Sequence, residues 1–183
     1  MIIIILILLI VIFVFLFYAS YSIGAGIYLK AFCRKQTDEK IVALTFDDGP
    51  DPVQTPKVLD VLKEYGISAT FFCIGSKIKG NEAIIQRIID EGHTIGNHSY
   101  AHTWTFPFYS AHRMTADLTQ CQQQLEETAK QHVQLFRPPF GVTNPTIARV
   151  VKQLGYQTIG WNIRTLGTQS LSNKKIIKRI RKQ

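Results

Sequence analysis

What most constrains the fold of this chain is an alternation. From Ile41 onward, short apolar runs and stretches of helical spacing take turns, strand then helix, about five times in units of roughly 25–30 residues. Ile41-Val42-Ala43-Leu44-Thr45-Phe46 reads as a buried strand that ends in two carboxylates, Asp47 and Asp48, and a Gly-Pro turn. A helix follows, with Thr55 as its N-cap, Pro56 at its first position, Val58, Leu59, Val61 and Leu62 at helical spacing, and Gly66 as its stop. Ser68–Ile74 is a second buried strand. Asn81 caps a helix carrying Ile84, Ile85, Ile88 and Ile89 and ending at Gly92. Thr94-Ile95-Gly96 is a short strand, and Trp104–Tyr109 an aromatic loop. Ser110 caps a long helix with Met114, Leu118, Cys121 and Leu125 on one side. Leu135-Phe136 is a brief strand, and Asn144-Pro145 opens a helix that ends at Gly155. Gln157–Ile163 is the next strand, and Ser172–Arg181 has helical character.

This pattern argues a parallel α/β fold. The polar motifs all fall just after strands, where parallel barrels and open sheets gather their sites. A closed barrel needs about seven or eight such units, more than this chain holds.

Residues 2–17 (IIIILILLIVIFVFLF) are apolar without a break, and the character continues to about Leu29. A run of that length spans a bilayer. No polar stretch precedes it and no clear small-x-small cleavage site follows. Residues 1–29 therefore read as an uncleaved transmembrane signal anchor, with a cleaved signal peptide as the alternative. Tyr18, Tyr21 and Tyr28 fit an interfacial belt. Residues 30–40 (KAFCRKQTDEK) read as a polar linker, and 41–183 as the domain. Lys30, Arg34 and Lys35 flank the span on its C-terminal side, which by itself would keep the domain in the cytoplasm. The chemistry argued below favours the extracytoplasmic side, and the domain of this single-pass chain is placed there.

The formal charge is +8, but Lys174, Lys175, Lys178, Arg179, Arg181 and Lys182 crowd the last ten positions and leave +2 for everything before them. The basic balance thus describes a tail, read as a solvated helix face or a contact with a membrane surface or anionic polymer. It does not describe a nucleic-acid-binding face. Three cysteines, Cys33, Cys73 and Cys121, cannot all pair internally, and neither a disulfide framework nor a Cys-x-x-Cys metal knuckle is expected. Cys73, inside an apolar run, reads as a small core residue.

The chemistry lies in three motifs: Asp47-Asp48 after the first strand, His98 and His102 after the third, and Arg137-Pro138-Pro139-Phe140-Gly141 after the fourth. Each has a bland reading alone: a solvated turn, an incidental histidine pair, a proline-rich connection. Two adjacent carboxylates at a strand end ask for a metal or a proton to relieve their repulsion. Histidines four apart would share one face of a helical turn, within reach of one ion. Two imidazoles and one carboxylate make a common catalytic metal set with a position left for water. The second aspartate would then be free to act as base, with the arginine as its partner. His93 reads as a hydrogen-bonded structural histidine, and His112 and His132 as surface residues. The aromatic rings of Trp104–Tyr109 suit either a sugar-stacking platform or a loop packed on its own core.

TFDDGP, TP-x-VLD-x-L, ATFF-x-IG, GH-x-IGNHSYAH and RPPFG, in order over about residues 41–166, resemble the polysaccharide deacetylases of the NodB-homology class, carbohydrate esterase family 4. The resemblance implies a distorted (β/α) barrel. It implies a divalent metal, usually zinc, with cobalt or manganese as alternatives. It implies removal of acetyl groups from N-acetylglucosamine units of chitin, peptidoglycan or another envelope glycan, or from xylan in some members. It makes Asp47 the catalytic base, Asp48, His98 and His102 the metal ligands, and Arg137 the residue that orients the base. The backbone N–H of Phe140 would stabilise the oxyanion, Pro138 and Pro139 would shape the groove wall, and Trp161 would line the site.

Two departures stand out. Gly167 occupies the place where the family usually carries an acid that supports the arginine. The family's last motif, an apolar strand ending in a general-acid histidine, has no counterpart after Arg181. The chain is therefore expected to be short of its last strand, with the barrel incomplete at its C-terminal end and an apolar edge open. Besides a deacetylase of acetylated polysaccharide, the sequence suits a catalytically impaired carbohydrate-binding remnant. It also suits an O-acetyl esterase of the xylan type, whose alcohol leaving group needs less help than an amine.

Overall fold

Among the described residues, five short strands lie side by side in chain order and all run parallel: β1 (Thr45–Gly49), β2 (Thr70–Cys73), β3 (Thr94–Asn97), β4 (Leu135–Phe136) and β5 (Gln157–Thr158). The computed structural model describes residues 1–164 and 173–181. A doubly wound sheet would reverse its order at a switch point; sequential order is that of a barrel wall. The connections are the helices α2 (Gln54–Glu64), α3 (Glu82–Asp90), α4 (Ala111–Ala129) and α5 (Pro145–Gln153), preceded by α1 (Ile2–Tyr21) and followed by α6 (Asn173–Ile180).

The strands alternate between two buried faces, as parallel strands do. Phe71 and Cys73 point toward the helices and join Leu59, Ile85, Ile88, Ile95 and Leu125 in one core cluster. A second cluster gathers Leu118 of α4, Phe136 of β4 and Ile147, Val150 and Val151 of α5. Phe72 points the other way, toward the site, and is also fully buried. The three cysteines are free thiols, and burial pushes the Cys73 thiol up to about 12.

Several helix signals act as read. Ser110 Oγ accepts from the Arg113 N–H and Asn144 Oδ1 from the Ile147 N–H, with Pro145 opening α5. Gly66 and Gly92 adopt left-handed backbone past α2 and α3. Thr55 is not the cap of α2. The Asp51 carboxylate accepts from the N–H groups of Val53 and Gln54, while Thr55 Oγ1 turns back to accept from the Asp51 N–H. β1 also differs: Ile41 and Val42, expected as buried strand, are 68% and 77% exposed. β1 is an edge strand, and among the described residues nothing pairs with its outer side.

The N-terminal segment is tied to the domain. α1 is exposed along most of its length, but its last turn is anchored to the domain: Ala19 is buried, and Thr143 donates from its N–H to the Ser20 carbonyl and from its Oγ1 to the Ala19 carbonyl. Residues 30–40, expected as a linker, include a parallel bridge from Phe32 to Ile159. The Phe32 N–H donates to the Thr158 carbonyl at 2.8 Å, and its carbonyl accepts the Gly160 N–H at 2.9 Å. Phe32 thus covers the far edge of β5. Cys33 Sγ packs so tightly on Gly160 that a Cβ there would collide with it.

Candidate active site

The functional side chains stand at the carboxyl ends of β1, β3 and β4, where the strands release the chain into loops. Asp48, at the end of β1, takes a left-handed backbone (φ 67°) that turns its side chain toward β3. Its carbonyl accepts from Lys77 Nζ at 2.8 Å. Asp48 Oδ1 lies 3.4 Å from His98 Nε2 and 3.2 Å from His102 Nε2.

The histidines do not sit on a helical turn as their spacing suggested. The loop from His98 to His102 is irregular, with positive φ at Ser99 and His102. Side chains from below hold it: Asn97 Oδ1 accepts the Ser99 N–H, and the Asp117 carboxylate accepts the N–H groups of Tyr100 and Ala101. Satisfied in this way, the loop gains nothing by coiling, yet it still delivers both rings to one point.

The His98 ring is fixed by its far nitrogen. Nδ1 lies 2.7 Å from the Arg137 carbonyl, which only accepts, so Nδ1 carries a proton and Nε2 is the nitrogen turned to Asp48. The His98 ring, with His102 and Lys77 beside it, holds the Asp48 carboxyl below its ordinary value, while partial burial works against this. Burial pushes the His102 imidazole below its ordinary value, and the neighbouring His98 adds to the effect. Neutral imidazoles beside an ionised carboxylate are the forms that bind a metal.

Two observations show that this set fits an ion. Asp48 Oδ1 and His102 Nε2 are buried without a hydrogen-bond partner among the described residues. Ligands about 2.0–2.1 Å from a tetrahedral ion stand about 3.3 Å apart, and these atoms are 3.2–3.4 Å apart across the two contacts with Asp48. Among the described residues, Asp48, His98 and His102 are the one such cluster.

Asp47 points elsewhere. Its Oδ1 accepts from Arg137 Nη1 at 2.7 Å. Arg137 is 2% exposed and engaged through all three of its nitrogens: Nη1 also donates to Thr45 Oγ1, Nε to the Ile159 carbonyl, and Nη2 to the Gly160 carbonyl at 2.7 Å. Its guanidinium lies 4.2 Å over the Phe72 ring and 5.3 Å from that of Trp161. Gly167 lies outside the described residues; here, backbone carbonyls and two aromatic rings orient the arginine.

Phe140 has a left-handed backbone, its ring lies 4.9 Å from the His102 ring, and no group among the described residues accepts its N–H. Pro138 and Pro139 are buried under it and present no face of their own. The Trp161 ring lies flush against Gly141, at a distance no Cβ would allow. The sequence reading missed Asp117, Asn97, Thr45 and Lys77. Asp117 left a signal, as the lone acid on the apolar Met114–Leu118–Cys121 face of α4. His93 is buried, with Nδ1 accepting the Ala69 N–H, and His112 and His132 are exposed.

The profile of the polysaccharide deacetylases matches residues 34–159. A peptidoglycan-N-acetylglucosamine deacetylase of Bacillus cereus is 41% identical over 125 residues, covering 68% of this chain and 58% of that protein. The peptidoglycan-N-acetylmuramic acid deacetylase PdaA of Bacillus subtilis is 40% identical, covering 73% and 51%. The chain thus spans little more than half the length of either relative. The solved structure of peptidoglycan deacetylase PdaC from Bacillus subtilis superposes with a TM-score of 0.73 at 31% identity, covering 80% of this chain and 70% of that one. A CE4 family pseudoenzyme from Bacillus anthracis superposes at 0.76 with 25% identity, covering 82% and 53%.

Proposed function

The chain belongs to the polysaccharide deacetylase family, and from that premise we propose that it hydrolyses N-acetyl groups on an envelope glycan, with peptidoglycan as the first candidate. The observation that carries the reading is the division of labour between neighbours. Asp48 faces two histidines, while Asp47 is held apart from them by Arg137 at 2.7 Å. A pure glycan binder has no use for the second arrangement.

Asp48, His98 and His102 would hold a divalent ion, zinc in the first place and cobalt or manganese as alternatives. Such an ion polarises an acyl oxygen and makes water a better nucleophile at neutral pH. The chain's own groups do the rest. Arg137 engages Oδ1 of Asp47 and leaves Oδ2 to take the proton of the attacking water. The Phe140 N–H meets the oxygen that gains charge as the water adds to the acetyl carbon. Trp161, Phe140 and the His102 ring wall the place where the acetyl group sits. Asp47 then returns the proton it took to the amide nitrogen, and cleavage of the C–N bond gives acetate and the free amine.

We place α1 in the membrane as an anchor, with the domain on the extracytoplasmic side where such glycans lie. α1 is long and apolar enough to cross a bilayer. The test is acetate release by the full chain in lipid nanodiscs with added zinc, on peptidoglycan, chitooligosaccharides and acetylated xylan. Release from the first two, abolished in Asp47→Asn, is expected. Release from xylan alone would make it an ester hydrolase; binding without release, unchanged in Asp47→Asn, would make it a binding module.

A further inference from the structure

Two large aromatic side chains near the site are almost wholly exposed: Trp104 (77%) and Phe108 (81%). They belong to the loop that begins just after His102. The loop is ordered from within rather than floppy. Phe106 is fully buried, Tyr109 nearly so, and the Tyr109 hydroxyl pairs with Thr103 Oγ1 at 2.7 Å. Trp104 and Phe108 therefore point outward from a fixed base, which excludes a loop packed wholly on its own core. Two such rings held outward on one ordered loop form a candidate contact surface.

Their position says which. Pro107, between the two buried and exposed phenylalanines, gives its carbonyl to Asn144 Nδ2 at 2.6 Å. The residue before Asn144 is Thr143, whose N–H and Oγ1 donate to the last turn of α1. The end of the apolar helix, Thr143-Asn144 and the aromatic loop are thus one hydrogen-bonded unit. A cleft of ≈ 370 Å³ lies between residues 21–24, at the end of α1, and 161–164, beside the site. If α1 crosses a bilayer, its final turn lies at the interface, and whatever is bonded to it lies there too. Exposed Trp and Phe rings beside the end of a span match the amphipathic surfaces that settle at the headgroup–acyl boundary. Arg113, stacked 3.8 Å over the Tyr109 ring on the same loop base, supplies a cation at the level where lipid phosphates would lie.

We propose that the Trp104–Phe108 loop is a second, interfacial membrane contact, seated in the headgroup region of the bilayer that α1 crosses. This rests on the reading of α1 as an anchor. Because the same loop starts at His102, the contact holds the rim of the site at the membrane surface. The substrate it favours is then an N-acetylated glycan attached to or lying on that surface, not one free in solution or deep in a wall.

The full chain and its Trp104→Phe variant are reconstituted into phosphatidylcholine–phosphatidylglycerol vesicles, and their emission is compared with and without lipids brominated near the headgroup end of the acyl chain. The chain has two tryptophans, so the difference between the two proteins reports Trp104 while Trp161 stays in place. Emission from Trp104 falling about twofold, with weaker quenching by deeply brominated lipid, is expected for a ring at the boundary. A chain that floats with carbonate-washed vesicles while Trp104 remains unquenched overturns the contact and leaves the anchor standing. A chain that fails to float removes the anchor and the contact with it. Trp104 emission that responds to soluble chitooligosaccharide and not to brominated lipid makes the loop a sugar platform and overturns the proposal.

Discussion

Arg137 Nη1 donates to Asp47 Oδ1 at 2.7 Å, and the other arms of the same guanidinium end on the carbonyls of Ile159 and Gly160. The fork is what sets the direction of Asp47, and a lysine has no fork. Arg137→Lys should keep a charge and lose the geometry. We expect kcat/KM for acetate release to fall about 100-fold, the scale of a misplaced general base, with the fold intact by circular dichroism. Unchanged kcat/KM would show that Asp47 needs no orientation.

The unpartnered Asp48 Oδ1 and His102 Nε2 predict that a bound ion stabilises the folded chain. Zinc at 100 times its dissociation constant should add about 2.7 kcal/mol, read as a rise in unfolding temperature. Neither Asp48→Asn nor His98→Ala combined with His102→Ala should show the rise. A rise that survives in the double variant would place the ion elsewhere.

Asp117 is exposed to little solvent, and its carboxylate is the acceptor for two loop N–H groups. Asp117→Ala strands both. The two donors are part-buried, so the low end of the cost of about 1–3 kcal/mol for each stranded donor applies, and a loss of about 2 kcal/mol is expected in urea unfolding. Metal affinity should drop about tenfold or more, as for other changes behind a ligand. Asp117→Asn retains one acceptor and should lose roughly half as much stability, whereas equal losses in the two variants would mean that packing, not acceptance, matters.

Asp117 also marks how far the sequence was legible. Alternation, caps at Ser110 and Asn144, and strand-end motifs depend on neighbours in the chain, and these could be read. Asp48, His98 and His102 could be brought together because each follows a strand of one parallel sheet. The cap of α2 was misread because Asp51 and Thr55 both suit the role, and only geometry chooses between them. The first half of β1 was misread because an apolar run looks the same whether or not a strand covers its outer side. The ties from Phe32 and Thr143 are made largely by backbone groups, which carry no residue-type signal.

His93 predicts a pH effect. Its Nδ1 accepts from the Ala69 N–H, and burial pushes its imidazole below the ordinary value. The folded state therefore binds this proton less readily than the unfolded state does. Its contribution to stability is complete above about pH 6.5, the unfolded value, and is lost as pH falls through the lower folded value. Stability measured in urea between pH 7 and pH 5 should fall in the native chain and fall less in His93→Asn. Equal slopes would assign the acid sensitivity to other groups.

Phe32 is 68% exposed, and a ranking by side chain would dismiss it. Its backbone is another matter. The N–H bonds Thr158 and the carbonyl bonds Gly160, whose own carbonyl holds Arg137 Nη2. The route from the segment after α1 to Asp47 is thus three hydrogen-bonded steps long. Phe32→Pro removes the donor and should lower stability by about 1 kcal/mol, the net worth of one such bond. It should also lower kcat more than it raises KM, because Asp47, the proposed base, is affected rather than the binding surface. Phe32→Ala leaves the backbone in place and should stay within about 0.5 kcal/mol of the native chain. Gly160→Ala, which drives a methyl group into Cys33, should resemble the proline variant. If Phe32→Ala proved as damaging as Phe32→Pro, the segment would act through its ring, and the link from Phe32 to Arg137 would fall.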